Sequence, residues 1–438
     1  MRSTMRCFPP IALLFLSLRF AGGQAAPTAV PSPGPKSGLN IPWLNGGLQY
    51  GLNASQLFQT GYYGGGVSKQ ASVSGNVAFS SKSETGPFTL VYTGGFQVPE
   101  QSNISTNYFQ SLALSQSLLI RSWSVGVTDV VSYLPQSPTV GLSGIPGTGD
   151  LGLAPVGIGS EPAQDVLTTN STRVSNTVSG SVGRRLTGRD SLNGSASYGL
   201  LHFFGNTGID NTQISASAGF SHQFDARTSA NAGVSYGIFR YDVAGQSSFT
   251  TRGVSAGVQR QVTRALAVFG SGGPQWVNSS DQLAIPARMT WGASVGANYA
   301  KRIFVTQVAY SRGVNAGSGV QTGSISDSVT GSLSRSFGPN WNASMNAGFT
   351  RSQGLASTAT AANVAVLGIA NNGSISGFYG GVQASRRISR SISATGSYTA
   401  LTQSFSNALT TQATLNGTVQ SFALGISYSP RQTHLGFF

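Results

Sequence analysis

The chain has 438 residues, of which only 9% are charged and 39% are hydrophobic, and glycine alone occupies 58 positions. Typical soluble domains carry about 25% charged residues, so this composition argues against a set of compact soluble domains with apolar cores. The formal net charge of the full chain is +14. No stretch after residue 25 is apolar over the roughly 18 residues that a transmembrane helix needs.

The first 26 residues are predicted to be an export signal. The segment "MRSTMR" is basic, "CFPPIALLFLSL" is apolar, and "AGGQAAP" offers small residues for cleavage between Ala21 and Ala26. The single cysteine, Cys7, lies inside this signal, so the exported chain is expected to contain no disulfide. Residues 27–42, "PTAVPSPGPKSGLNIP", are predicted to form an extended proline-rich linker, and the ordered domain is expected to begin near Trp43.

Most of the remaining chain alternates between apolar and polar residues with a period of two, which is typical of β-strands. The segments "FTLVYTGGFQ", "RVSNTVSGSVGRR", "WNASMNAGFT" and "ISATGSYTAL" show the pattern. About eighteen such segments can be counted. The connections after odd-numbered segments are predicted to be the longer ones, at 59–70, 98–107, 134–172, 204–210, 242–248, 278–287, 314–323, 354–373 and 404–417.

Short, mostly basic turns recur along the chain, centred near residues 188, 226, 263, 301 and 339. The repeat of roughly 38 residues fits one hairpin, since two membrane-spanning β-strands need about 9–11 residues each in the apolar zone and a turn and a loop complete the unit. Alternating short turns and longer loops are typical of outer-membrane barrels.

The two faces of the predicted strands differ in chemistry. One face is apolar but dominated by Val, Ala and Gly. These small side chains cannot fill a soluble two-layer core of this size, whereas contact with lipid requires only that the face be uncharged. Charges on this face, such as Arg252, Arg260, Asp327 and Arg335, fall near strand ends. The other face is predicted to line a lumen through Ser175, Thr177, Ser179, Ser181, Asn342, Ser344, Asn346, Ser393, Thr395 and Ser397.

Aromatic residues also gather near the predicted strand ends, such as Trp123, Phe337 and Trp341 at one end and Trp276 and Trp291 at the other. With the signal peptide, the alternating strands and the loop asymmetry, they make residues 43–430 resemble a porin-type bacterial outer-membrane β-barrel. The resemblance implies an all-β fold, a transmembrane antiparallel up-and-down β-barrel of about 18 strands (16–18). It also implies location in the bacterial outer membrane, with outer-membrane lipids and the barrel-assembly machinery as partners.

The C-terminus departs from this family pattern. Members usually end in a strand whose last residue is aromatic, whereas this chain ends "SYSPRQTHLGFF" and Pro430 interrupts the pairing. The terminal strand is therefore predicted to be "FALGISY", ending at Tyr428, with residues 431–438 as a tail.

Three functions are compatible with the sequence. The first is a channel for passive diffusion of small polar solutes or ions, because a wide barrel with a hydroxyl-rich wall leaves an aqueous passage. The second is a structural or export-associated barrel, for example one serving surface polysaccharide secretion. The third is a secreted glycine-rich β adhesin, which the hairpin period and the alternating connection lengths disfavour. A homo-oligomer is compatible with each, and nucleic acid is not expected as a partner.

The basic residues concentrate at the predicted periplasmic turns. One interpretation is anchoring to phosphate headgroups, and the other is a positive vestibule that favours anions. The residues concerned are Lys82, Arg121, Arg184, Arg185, Arg189, Arg227, Arg264, Lys301, Arg302, Arg386, Arg387 and Arg390.

Catalytic and cofactor signals are weak, so neither an enzyme nor a cofactor is expected. His202 and His222 are predicted to lie at opposite strand ends, and Glu161 with Asp165 would make an incomplete calcium site. The segment 134–172 is long, rich in Pro and Gly and nearly uncharged. It is expected either to fold into the lumen or to lie outside as a surface epitope.

Overall fold

A computed structural model describes residues 46–62, 66–81, 83, 85–100, 106–134, 172–204, 208–241, 248–281, 285–317, 321–356, 373–406, 417–430 and 433–435. The predicted signal at 1–26, the linker at 27–42 and most of the long connection at 134–172 lie outside these ranges. Among the described residues, no helix is long and apolar enough to cross a membrane.

The described residues form one antiparallel sheet in which each of the first seventeen strands pairs with the next along the chain. The strands are β1 (Gly46–Tyr62), β2 (Gly66–Ser81), β3 (Phe88–Pro99), β4 (Asn107–Ile120), β5 (Trp123–Leu134), β6 (Arg173–Arg185), β7 (Asp190–Phe203), β8 (Asn211–Gln223), β9 (Thr228–Tyr241), β10 (Phe249–Gln261), β11 (Leu266–Ser279), β12 (Arg288–Lys301), β13 (Phe304–Asn315), β14 (Ser324–Phe337), β15 (Trp341–Gly354), β16 (Ser374–Arg387), β17 (Ile392–Phe405), β18 (Gly417–Tyr428) and β19 (Thr433–Leu435).

The sheet closes into a barrel because β1 pairs with both β2 and β18. Leu52 lies opposite Tyr428, and Thr60 lies opposite Gln420, so nine residue pairs join the two ends of the sheet. Closure removes the exposed strand edges that an open sheet would leave. The predicted antiparallel barrel of about 18 strands is therefore confirmed.

The connections alternate in length as predicted. The described turns after β4, β12 and β14 span only residues 121–122, 302–303 and 338–340, whereas the connections after β11, β15 and β17 span 280–287, 355–373 and 406–416. The first connection differs from expectation. Strands β1 and β2 continue to Tyr62 and Gly66 through a register shift after Gln59, so the predicted loop at 59–70 is largely strand.

Three residues of the predicted tail continue the barrel wall. Strand β19 pairs with Gly46–Leu48 of β1, directly beyond the segment of β1 that pairs with β18. Tyr428 pairs with Leu52 and Thr433 pairs with Leu48. The segment from Tyr428 to Thr433 is therefore one residue longer than the segment of β1 that it faces. The interruption at Pro430 thus acts as a bulge in the last strand, since proline cannot donate a ladder hydrogen bond.

The outside of the barrel is apolar. Cross-strand partners share a face in an antiparallel sheet, and the registers place Val234 with Val254 and Phe349 with Phe378 on one surface. All four side chains are exposed, as are Met345 and more than thirty other large apolar residues. An exposed apolar surface of this extent marks a membrane or protein interface rather than a soluble exterior.

The outer face carries few carboxylates within the described strands, and neighbours satisfy them. Asp327 on β14 accepts two hydrogen bonds from Arg312 Nη1, at 2.9 and 2.8 Å, and one from the Tyr310 hydroxyl at 2.8 Å. Asp129 on β5 lies opposite outward-facing Val178 and accepts a hydrogen bond from Asn176 Nδ2 at 2.8 Å. Such partners lower the cost of a charge on an apolar surface.

Adjacent residues on β9 test the assignment of faces. Val234 is outward and mid-strand, whereas Ser235 points inward between Ser217 and Gly253. We expect Val234→Arg to lower the free energy of unfolding by about 2–4 kcal/mol, because an arginine at bilayer mid-depth on the lipid face costs that much. Ser235→Arg should assemble normally. The measurement is urea-dependent unfolding in lipid vesicles, and equal destabilisation by the two changes would contradict the assignment.

Candidate pore and inner wall

The ten residues predicted to line a lumen all lie on the face opposite the exposed apolar residues. Ser179 pairs with Ser197 and Thr128, which share this inner face, while its neighbour Val178 is exposed on the outside. The same registers place the rest of the set inward: Ser175, Thr177, Ser181, Asn342, Ser344, Asn346, Ser393, Thr395 and Ser397. That these side chains contact a permeating solute stays a prediction.

Hydroxyl groups on neighbouring strands bond to one another along the inner wall. Ser195 and Ser217 are 2.8 Å apart at their Oγ atoms, and Ser197 and Ser215 are 2.6 Å apart. Further inward pairs are Ser311–Ser328, Thr399–Ser421, Ser393–Ser427 and Ser111–Ser132. Each hydroxyl has one donor and two acceptor lone pairs, so a paired wall keeps acceptor capacity for water or a polar solute.

Two inward-facing aromatic rings lie flat against the wall because a glycine stands opposite each. Phe269 is the partner of Gly296, and Tyr379 is the partner of Gly348. A Cβ atom added to Gly348 would stand 2.4 Å from the Tyr379 ring, and one added to Gly296 would stand 2.4 Å from the Phe269 ring. A side chain at either glycine would therefore displace the ring from the wall.

One sector of the outer mouth holds a buried apolar cluster. Phe239 and Phe249 stack at 4.5 Å between ring centroids, and Val277 packs with them. Ile285 and Leu355, from the connections after β11 and β15, complete the cluster and are buried. Within these two connections, Ile285 and Leu355 are therefore packed against the strand ends in this sector.

Hydrogen bonds join described residues of the connections after β13 and β15. The Tyr241 hydroxyl donates to the Ala316 carbonyl at 3.2 Å, the Leu355 amide donates to the Gly323 carbonyl at 3.0 Å, and Gln321 Nε2 donates to the Gly373 carbonyl at 2.7 Å. Gly317 and Gly323 have positive φ angles, which glycine adopts readily because it has no Cβ atom. The sector thus forms a fixed rim at the outer mouth.

Buried glutamines face inward in another sector, near the outer ends of β1, β3 and β17. The amide groups of Gln59, Gln97 and Gln403 are buried and have no hydrogen-bond partner among the described residues. A buried amide without a hydrogen-bond partner is costly.

The histidines occupy separate positions at opposite ends of the barrel wall. His202 Nδ1 contacts Asp210 near the outer end, and His222 Nδ1 contacts Asp190 at 2.7 Å near the inner end. Both rings also pack edge-on against a phenylalanine. Within the described ranges, no group of three or more His, Cys, Asp or Glu is placed to hold a metal ion.

A groove of about 590 Å³ lies on the outside of the barrel and not in the lumen. It is lined by Val258, Val295, Val308 and Val329, which share the outward face, and Arg260 lies at one end. Its apolar lining suits lipid chains and not polar solutes.

Sequence reasoning did not identify several features of the inner wall. The cluster around Phe239 and Phe249 depends on contacts between distant connections, for which a local pattern carries no signal. Strand parity could have predicted that Arg173 and Arg288 point inward, because residues two positions apart on a strand share a face. Each arginine stands two residues before an inward-facing serine or threonine.

The fold and the inner wall together define a closed, apolar-surfaced barrel with a hydroxyl-rich lumen. No protein-family model matches the chain, and no curated protein does.

Among solved structures, the chain is similar to OccAB4 of Acinetobacter baumannii, with 7% identity, 89% of this chain and 98% of that chain covered, and a TM-score of 0.43. It is also similar to OprD of Pseudomonas aeruginosa, with 9% identity, coverage of 90% and 96%, and a TM-score of 0.41. It is also similar to the FrpB iron transporter of Neisseria meningitidis (F5-1 variant), with 8% identity, coverage of 88% of this chain and 82% of that chain, and a TM-score of 0.42. Likeness at this level does not extend to function.

Gly348 and Tyr379 allow a direct test of the flat inner wall. We expect Gly348→Ala to push the Tyr379 ring into the lumen and lower single-channel conductance, while the barrel still assembles. Gly331 on β14 faces outward, and no atom lies within 3.9 Å of a Cβ placed there. Gly331→Ala is therefore the control and should leave conductance unchanged. Unaltered conductance in Gly348→Ala would show that the ring does not border the permeation path.

Proposed function

We propose that the protein is a channel of the bacterial outer membrane for passive diffusion of small polar solutes or ions. The observation that carries this proposal is the closed eighteen-strand barrel whose outer face exposes apolar residues and whose inner face is lined by serine, threonine and asparagine. Barrels of 16–18 strands are wide enough to leave an aqueous channel. In this proposal the ten inward residues predicted from the sequence border the solute path.

The apolar exterior supports the membrane location. Aromatic residues stand near the strand ends on the outer face, with Trp123, Phe337 and Trp341 toward one end and Trp291 toward the other. Girdles of aromatic residues at two levels are characteristic of barrels in a bilayer. Outer-membrane lipids are then the partners of this face, and the barrel-assembly machinery is the expected route of insertion.

Arginines near the end with the short turns complete this interface. The guanidinium of Arg184 lies 4.9 Å from the Trp123 ring, that of Arg335 lies 4.7 Å from Phe337, and that of Arg386 lies 5.4 Å from Trp341. All six residues face outward. An arginine over an aromatic ring near a strand end can extend its charged group to lipid phosphates. This supports the headgroup-anchoring interpretation of the basic turns.

The second candidate is a structural or export-associated barrel. The fixed rim at the outer mouth, formed by Ile285, Leu355, Ala316 and Gly323, is the observation that favours it. A rim that closes part of the mouth would suit a barrel whose passage is opened by a partner. Conductance of the isolated protein separates the two candidates.

The membrane location predicts a physical property of the full protein. A closed barrel resists detergent until it is boiled, because every strand is paired on both sides. We expect the mature chain to fractionate with outer membranes and to migrate faster on gels when it has not been heated. Recovery from the soluble periplasm or from the medium without detergent would contradict the barrel-in-membrane proposal.

The channel function predicts conductance. The refolded protein in planar bilayers should give discrete, long-lived conductance steps in potassium chloride, because the hydroxyl-lined lumen is water-filled. The protein denatured before addition serves as control. Stable insertion, shown by heat-modifiable migration of the reconstituted protein, without conductance would favour the export-associated barrel.

A further inference from the structure

The charged residues of the described strands divide unequally between the two faces. Four of them point into the lumen, and all four are arginines: Arg173, Arg185, Arg288 and Arg387. The three strand carboxylates, Asp129, Asp190 and Asp327, point outward together with exposed Val131, Leu192 and Val329. Within the described strands, therefore, the inner wall carries positive charge and no negative charge.

The four arginines stand at the two mouths of the barrel. Arg173 and Arg288 are the first residues of β6 and β12, which follow long connections, so they lie at the outer mouth. Arg185 and Arg387 are the last residues of β6 and β16, which precede short turns, so they lie at the inner mouth. A solute crossing the barrel in either direction meets positive charge on entry and on exit.

Among the described residues, neither Arg387 nor Arg288 forms an ion pair with a carboxylate. Arg387 donates from Nε to the Ser389 carbonyl at 3.1 Å and from Nη2 to the Arg390 carbonyl at 2.9 Å. Carbonyl partners fix the guanidinium over the turn without neutralising it. At the outer mouth, Nε and Nη2 of Arg288 are buried and have no hydrogen-bond partner among the described residues. Because a guanidinium stays protonated in proteins, both groups keep their positive charge at the mouths of the barrel.

We propose that the channel prefers anions, and that the small polar solutes it passes are carboxylates, phosphates or other small anions. The inference rests on the proposed channel function and specifies its solute class. Rings of arginine or lysine at pore constrictions select anions, and a narrow water-filled passage with low-dielectric walls focuses the field of such charges. Screening limits each arginine to a range of about 8–10 Å at physiological salt, so the preference should weaken as salt rises.

The test is the reversal potential of the full protein in a planar bilayer of uncharged lipid, under a potassium chloride gradient. We expect chloride to be severalfold more permeant than potassium. The ratio should fall severalfold in Arg288→Gln and in Arg185→Gln. Arg185 is exposed at a strand end, so its replacement keeps the test decisive should Arg288→Gln fail to assemble.

Arg252→Gln is the matched control, because Arg252 is a strand arginine on the outward face, opposite Trp276. It should leave the permeability ratio unchanged. A wild-type channel that is unselective or prefers potassium would overturn the proposal, as would a ratio that Arg252→Gln changes as much as the two lumen variants do. A protein that inserts but does not conduct would instead contradict the channel function itself.

Discussion

Closure of the sheet is the constraint on which the other features of this barrel depend. In a lipid environment no water is available for unpaired backbone N–H and C=O groups, and each unsatisfied group costs several kcal/mol. The pairing of β1 with β18, continued by β19 across the bulge at Pro430, leaves every long strand with a neighbour on both sides. Because backbone pairing supplies the cohesion, the side chains are free of the need to build an apolar core. This explains how the chain folds although most of its large apolar residues are exposed on the outer face.

Once the sheet is closed, strand parity decides the role of each residue. Residues of one parity face the apolar surroundings and those of the other face the lumen, so a pair such as Val234 and Ser235 meets two different environments one peptide apart. Small inward residues keep the lumen wide, and glycines such as Gly348 let the few inward rings lie flat. Among the described residues, Phe239 and Phe249 belong to a buried apolar cluster at the outer mouth.

Much of this arrangement could be predicted from the sequence, because both the period-two pattern and the turn residues act locally. The turn at 186–189 predicts where the flanking strands end and begin, and the alternation of Val178 and Ser179 predicts which face each residue occupies. Neither prediction needs information from distant parts of the chain. The rim at the outer mouth could not be predicted, since Ile285 and Leu355 lie in separate connections and meet only after the strands have closed. The pairing of β19 was also missed, because proline in a strand usually signals its end and not a bulge.

The outward carboxylates explain why a basic sequence becomes a basic lumen. Asp327 lies between Arg312 and Arg351 on neighbouring strands and is hydrogen-bonded to Arg312 and Tyr310, while Asp129 accepts from Asn176. Each is thus satisfied on the outer face, where an unpartnered carboxylate would be most costly. Because the carboxylates of the described strands point outward, no carboxylate on the inner face of those strands offsets the positive charge of the lumen arginines. Net charge alone leaves headgroup anchoring and anion attraction both open. The face on which each charge stands lets both operate in one molecule, anchoring through Arg184, Arg335 and Arg386 and anion attraction through Arg185, Arg288 and Arg387.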